Sequence, residues 1–273
     1  NGGSISTTGP GTISMTGSGA ATGNSTQSVG VRITSTLGNV STVSGGSTGT
    51  VTIQGSGSTA TTGGYAHGVM LGYASVTANG GNLNISGTGG GISTGKGSNK
   101  GVSIEAGSEV SAKGAGAVTI NGTGGTGIAI TPSTYANNEG VSQNGNFVKS
   151  ETGAITINAS APDNSSYAAA IGSISTSNAN ITINADSVSL GTLAAGTGTV
   201  TIQNMTAGTL ITVGGPTTSD VRTTTPKTLV IDSTELSKIT AATTVIGRND
   251  ATGSGNVTVS TVNMGALGNK IGR

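Results

Sequence analysis

The side chains that could do chemistry are few: ten acids, eleven Lys and Arg, one histidine and no cysteine in 273 residues. Glu105 with Glu109 and Asp232 with Glu235 are the nearest acid pairs. Two carboxylates roughly 5 to 9 Å apart are what glycoside hydrolysis needs, and several carboxylate oxygens together would hold Ca²⁺. The acids do not line up in that way: Glu151, Asp163 and Asp186 occupy unrelated positions in the repeat described below, and the Gly-Gly-x-Gly-x-Asp pattern of calcium-binding rolls does not occur in the sequence. Both pairs read as solvated corner charges. His67 lies two residues before Val69, where the equivalent positions hold Val29 and Lys100, and reads as a solvated or loop-packed side chain rather than a base or ligand. Tyr65 and Tyr73 flank it and offer a small patch on which a sugar ring could stack.

These residues imply no catalytic site, no cofactor and no metal, and the chain is expected not to be an enzyme. Without cysteine there is no disulfide framework and no thiolate metal site. A formal charge of +1 with no basic run lacks the footprint of nucleic-acid binding. No run of about 18 apolar residues would cross a membrane as a helix.

What positions these residues is a repeat. The stretch Gly49-Thr-Val-Thr-Ile-Gln-Gly55 returns along the chain with its first aliphatic residue at Ile13, Val51, Leu83, Val118, Ile155, Ile181, Val200, Leu229 and Val257, at intervals of 19 to 38 residues. Recurrence of this kind marks a solenoid. Two residues earlier stands Gly or Ala in every copy but one, where Lys227 departs. Two residues later stand Met15, Ile53, Ile85, Ile120, Ile157, Ile183, Ile202, Ile231 and Val259. Apolar residues two apart with polar ones between them describe a strand buried on one face. The expected core column is Ile53, Ile85, Ile120, Ile157, Ile183 and Ile202. One residue further on, Asn121, Asn158 and Asn184 are expected to form a polar ladder along the axis, with Gln54 and Gln203 in the same column.

Second strands follow at Val31–Ile33, Val69–Leu71, Val102–Ile104 and Ile128–Ile130, each after a glycine, and third strands lie around Val40, Val76 and Val110. Three strands per turn predict a three-faced parallel β-helix of about nine coils, all-β, running through residues 1–273 as one continuous solenoid. Coils with loops on one edge fill 1–150, and shorter, more irregular coils fill 151–273. The segment 131–149 is expected to protrude. Asp232 three residues before Glu235 resembles a capping box and predicts one helical turn. The 50 glycines and the 2% of aromatic residues fit a narrow interior filled by Val, Ile and Ala. A disordered linker of the same composition would have no reason to keep such a register.

Thr52, Thr119, Thr156, Thr182, Thr201 and Thr258 form an outward column of the kind ice-binding solenoids use. The column before the mark breaks the pattern with Asn82, Ala117, Ala154, Asn180 and Asn256, and Thr is a good strand residue in any case. Nine Asn-x-Ser/Thr triplets occur, about as many as this composition produces by chance.

The cadence Gly-Thr-Val-Thr-Ile-Gln-Gly, Gly-Val-x-Ile, and the late run Thr228-Leu-Val-Ile-Asp-Ser-Thr-Glu-Leu-Ser-Lys-Ile resemble the repeat regions of filamentous-haemagglutinin-type bacterial surface proteins and autotransporter passengers. The resemblance implies a right-handed β-helix, extracellular or at the bacterial cell surface, acting as the structural shaft and display surface of a secreted adhesin or filament. The implied partners are neighbouring coils of the same polypeptide or further copies of itself, and host-surface or matrix glycans. The Asn-Pro motif of that family's secretion domain is missing from this sequence. A self-assembling filament subunit is the alternative, and a polysaccharide-degrading enzyme or ice-binding solenoid ranks below it. No capping element is expected at either end, and the chain is expected to be a piece of a longer repetitive protein.

Overall fold

The computed structural model describes residues 2–20, 27–60, 65–91, 98–127, 137–144, 147–162, 167–215, 227–248 and 253–260. It is all-β apart from one helical turn, and its strands pair in parallel. Alternation decides where they lie: Val118–Thr123 buries Val118 and Ile120 and turns Thr119 and Asn121 outward, as a period-two pattern must.

Eight such strands stack into the first sheet. Ile13–Ser18, Val51–Ser56, Leu83–Thr88, Val118–Thr123, Ile155–Ser160, Ile181–Ala185 and Thr199–Gln203 follow one another in register, with Ile13 opposite Val51 and so on to Ile181 opposite Val200. The second sheet has twelve strands in two rows. One row runs through Val31–Thr34, Val69–Gly72, Val102–Ile104 and Val141–Gln143. The other runs through Ser4–Ser6, Ser41–Ser44, Ala74–Ala78, Glu109–Ala112 and Phe147–Ser150. They fuse at Ala169–Thr176, which pairs with both rows and is followed by Val188–Ala194 and Ile239–Thr240. The rows are the second and third faces of a solenoid-like stack whose interior is a strip of Val, Ile, Leu and Ala.

The small-residue column before each first-face strand has a steric cause. A Cβ added to Gly49 would sit 1.8 Å from the Gly11 carbonyl oxygen, one added to Gly116 2.2 Å from that of Gly81, and one added to Gly153 2.1 Å from that of Gly116. Each coil rests its corner on the carbonyl of the coil before it. A second pinch closes the foot of each long connection, where a Cβ added to Gly55, Gly87 or Gly122 would sit 2.0 Å from the carbonyl oxygen of Gly68, Gly101 or Gly140 respectively.

Several expectations need correction. The fourth second-face strand is Val141–Gln143, entered from Gly140; residues 128–130 lie outside the described residues. Only Val141 and Gln143 point inward there, so one aliphatic residue carries the strand. Phe147–Ser150 is a wall strand of the third face, not part of a protrusion, because Val148 falls in register with Val110. On the same face Val43, not Val40, is the inward residue, and Val40 is half exposed.

The largest departure comes after Val200. The next first-face strand is Thr243–Ile246, which sets Thr244 opposite Val200 and Ile246 opposite Ile202. The copies at Leu229 and Val257 instead pair with Ile211 from either side, in a separate three-stranded sheet of Thr228–Ile231, Leu210–Val213 and Val257–Val259. The cause is a short helix, α1 (Ser233–Leu236), with the capping box closed: the Glu235 N–H donates to Asp232 Oδ1 at 2.8 Å, and the Asp232 N–H to Glu235 Oε2 at 3.3 Å. The Leu190 N–H donates to Glu235 Oε1 at 2.8 Å, and Lys238 Nζ donates to the Leu190 carbonyl at 2.9 Å. Two side chains thus satisfy backbone groups that a following strand would otherwise take. This edge of the second face is capped at Leu190, whereas the expectation of no capping element concerned the two ends of the chain, and residues 261–273 lie outside the described residues.

Candidate functional site

The outward side of the first sheet is an uncharged polar array. Gln203 Nε2 donates to Asn184 Oδ1 at 2.7 Å, Asn184 Nδ2 to Asn158 Oδ1 at 2.5 Å, Asn158 Nδ2 to Asn121 Oδ1 at 2.7 Å, and Asn121 Nδ2 to Ser86 Oγ at 3.3 Å. All four bonds point toward the N-terminal coils, so Asn121, Asn158 and Asn184 each both donate and accept along the axis. Side chains stacked at the strand spacing polarise one another in the same sense. Directly behind the ladder, Ile53, Ile85, Ile120, Ile157, Ile183 and Ile202 pair in one register and have no exposed surface. Beside it runs a hydroxyl column, Thr119, Thr156, Thr182 and Thr201, which Asn84 separates from Thr52. Thr258 is not in this column; it pairs with Thr212 in the three-stranded sheet. Toward the N-terminal coils Gln54 is exposed, and there the surface dips into a trough of about 330 Å³ between Gln54, Ser86, Asn121, Ser56 and Thr88.

The acids singled out by spacing take separate partners. Glu105 accepts from Ser103 Oγ at 3.1 Å, Glu109 pairs with Lys149 Nζ at 2.8 Å, and Asp232 and Glu235 form the helix cap. Burial raises the Glu235 carboxyl above its ordinary range, against hydrogen bonds from the Leu190 and Asp232 backbone that favour its charged form. Asp186 binds the N–H groups of Met205 and Thr206, both at 2.8 Å, and the Thr206 hydroxyl. Asp163 lies outside the described residues. Among the described residues no three His, Cys, Asp or Glu side chains meet as a metal site would require.

His67 is not solvated; it is fully buried where the second face begins. Its Nδ1 accepts the Lys100 backbone N–H at 3.0 Å, and its Nε2 has no hydrogen-bond partner. Burial, with the nearby charges of Lys100 and Arg32, lowers its pKa to about 3, so the ring is neutral at ordinary pH. Lys100 reaches on to Ser142 Oγ at 2.9 Å and to Glu139 at 3.8 Å. Tyr65 meets the His67 ring edge-on at 5.9 Å, while Tyr73 lies over Gly107.

The third face carries a feature that the repeat pattern did not mark. A groove of about 500 Å³ crosses its outer side, lined by Thr77, Glu109, Ser111, Lys113, Lys149 and Glu151. Thr77 and Ser111 share a 2.9 Å hydroxyl bond on its floor, and Glu151 Oε2 accepts the Gly114 N–H at 2.7 Å. Phe147, the chain's one phenylalanine, stands opposite Glu109 and is 56% exposed. The signal was present in the alternation Phe-Val-Lys-Ser, whose inward residue is Val148.

No family model, curated protein or solved structure matches this chain.

Proposed function

We propose that the chain is a right-handed, three-faced parallel β-helix that serves as the non-catalytic shaft and display surface of a large secreted bacterial adhesin or cell-surface filament. The observation that supports this reading most is continuity: from Ile13 to Val200 seven strands keep one register, backed by an unbroken apolar core and faced by an amide ladder. Such a stack transmits position and load along its axis and leaves its outer faces free for display. The repeat cadence, which resembles filamentous-haemagglutinin-type shafts, supports the extracellular setting. Electron microscopy of the chain, with antibodies labelling the surface of producing cells, tests the proposal. Short unbranched rods and surface label are expected; a compact, non-elongated particle or purely internal label would overturn it. Fibres that grow by end-to-end addition, with a layer spacing of about 4.8 Å, would favour the filament-subunit alternative.

A further inference from the structure

We propose that the third-face groove is a binding site for a neutral oligosaccharide, with Phe147, which stands outside the groove lining beside Glu109 at its rim, as a flanking stacking platform. The inference rests on the display-surface reading and assigns one face and one ligand class to it.

Phe147 occupies an outward strand position where its neighbours in register are Glu109 and Ser173, and its strand buries Val148 rather than the ring. An aromatic ring left over half exposed on an otherwise polar wall contributes little to the core, but it matches the C–H face of a pyranose. Beside it, on the same outward side of the same strand, Lys149 holds Glu109 at 2.8 Å. This pair sets a donor next to an acceptor, at the separation that neighbouring ring hydroxyls present: one hydroxyl donates to the carboxylate while the next accepts from the ammonium. Charged partners make such hydrogen bonds stronger than neutral ones. The floor of Thr77 and Ser111 can donate or accept at each oxygen. Glu109 and Glu151 offset Lys113 and Lys149 on the groove walls, which favours an uncharged sugar over a sulfated or acidic one. At about 500 Å³ the groove lies within the range of roughly 300 to 1,000 Å³ typical of small-molecule sites.

The test is capture of the intact chain on a panel of immobilised neutral hexose and N-acetylhexosamine oligosaccharides, with sulfated glycans alongside. Wild type is expected to bind at least one neutral member and to keep doing so in high salt. Phe147→Ala, Phe147→Leu and Glu109→Gln should each weaken binding tenfold or more with an unchanged thermal midpoint, while Thr182→Ala on the first face leaves it unchanged. The leucine variant keeps apolar bulk without the ring, so a loss there reports stacking rather than folding. The proposal is overturned if wild type captures no neutral glycan, if the Phe147 and Glu109 variants bind as wild type does, or if binding is confined to sulfated glycans and vanishes with salt. None of those results touches the rod shape, so failure of the glycan site is separable from failure of the shaft.

Discussion

At Asn158 one side chain makes two axial bonds, donating to Asn121 and accepting from Asn184. Replacing it with leucine keeps much of the shape and removes both. A net hydrogen bond contributes about 0.5 to 1.5 kcal/mol, and the neighbouring amides are half-buried, so Asn158→Leu is expected to cost about 1 to 3 kcal/mol in urea unfolding. A neutral result would mean that water replaces the ladder at no loss. His67 gives a pH signature at the same scale. Its folded-state pKa of about 3 lies below the ordinary 6.5, so between those values the unfolded chain binds a proton that the folded chain refuses. Stability from this group is therefore complete above about pH 6.5 and is lost as pH falls toward 3, by up to roughly 5 kcal/mol. Unfolding followed from pH 7 to 3 should show this loss, and His67→Leu should flatten that part of the profile. An acid limb unaltered in the variant would remove His67 as its source.

Among the elements, the first-face strand is the unit in which core, ladder and corner meet. Ile120 is fully buried between Ile85 and Ile157, so Ile120→Ala should cost about 2 to 5 kcal/mol through lost transfer and a residual cavity, read from the denaturation midpoint. A smaller loss would mean that the stack collapses around the gap. These strands were legible in the sequence because one local rule, small-x-apolar-x-apolar, suffices to write them. Val141–Gln143 was not, because it buries one aliphatic and one amide where Ile128–Ile130 offers a better pattern. Phe147–Ser150 was hidden by its large outward residues, of which Lys149 lines the candidate site and Phe147 flanks it. The register change after Val200 was illegible for a different reason. Leu229-Val-Ile231 is a good strand by any local measure, and its exclusion from the first sheet follows from α1 meeting Leu190 through Glu235 and Lys238, contacts 45 and 48 residues distant in sequence. The capping box itself was readable; what the helix caps was not.

For the whole molecule, rod, ladder and display faces all follow from adjacent coils being stacked in the stated parallel register. The absence of native cysteine allows a direct measurement: paired cysteines introduced at positions that the register makes neighbours, oxidised in the folded state and located by peptide mapping. Adjacent parallel strands lie about 4.8 Å apart, within the span a disulfide bridges. Thr119→Cys with Thr156→Cys, and Thr201→Cys with Val245→Cys, are opposite each other and are expected to cross-link readily within one chain. Thr201→Cys with Val230→Cys, the pairing that an uninterrupted repeat would have made, is expected to stay reduced. Failure of the Thr119–Thr156 pair to close within one chain, or efficient closure of Thr201 with Val230, would contradict the stacked register on which the shaft depends.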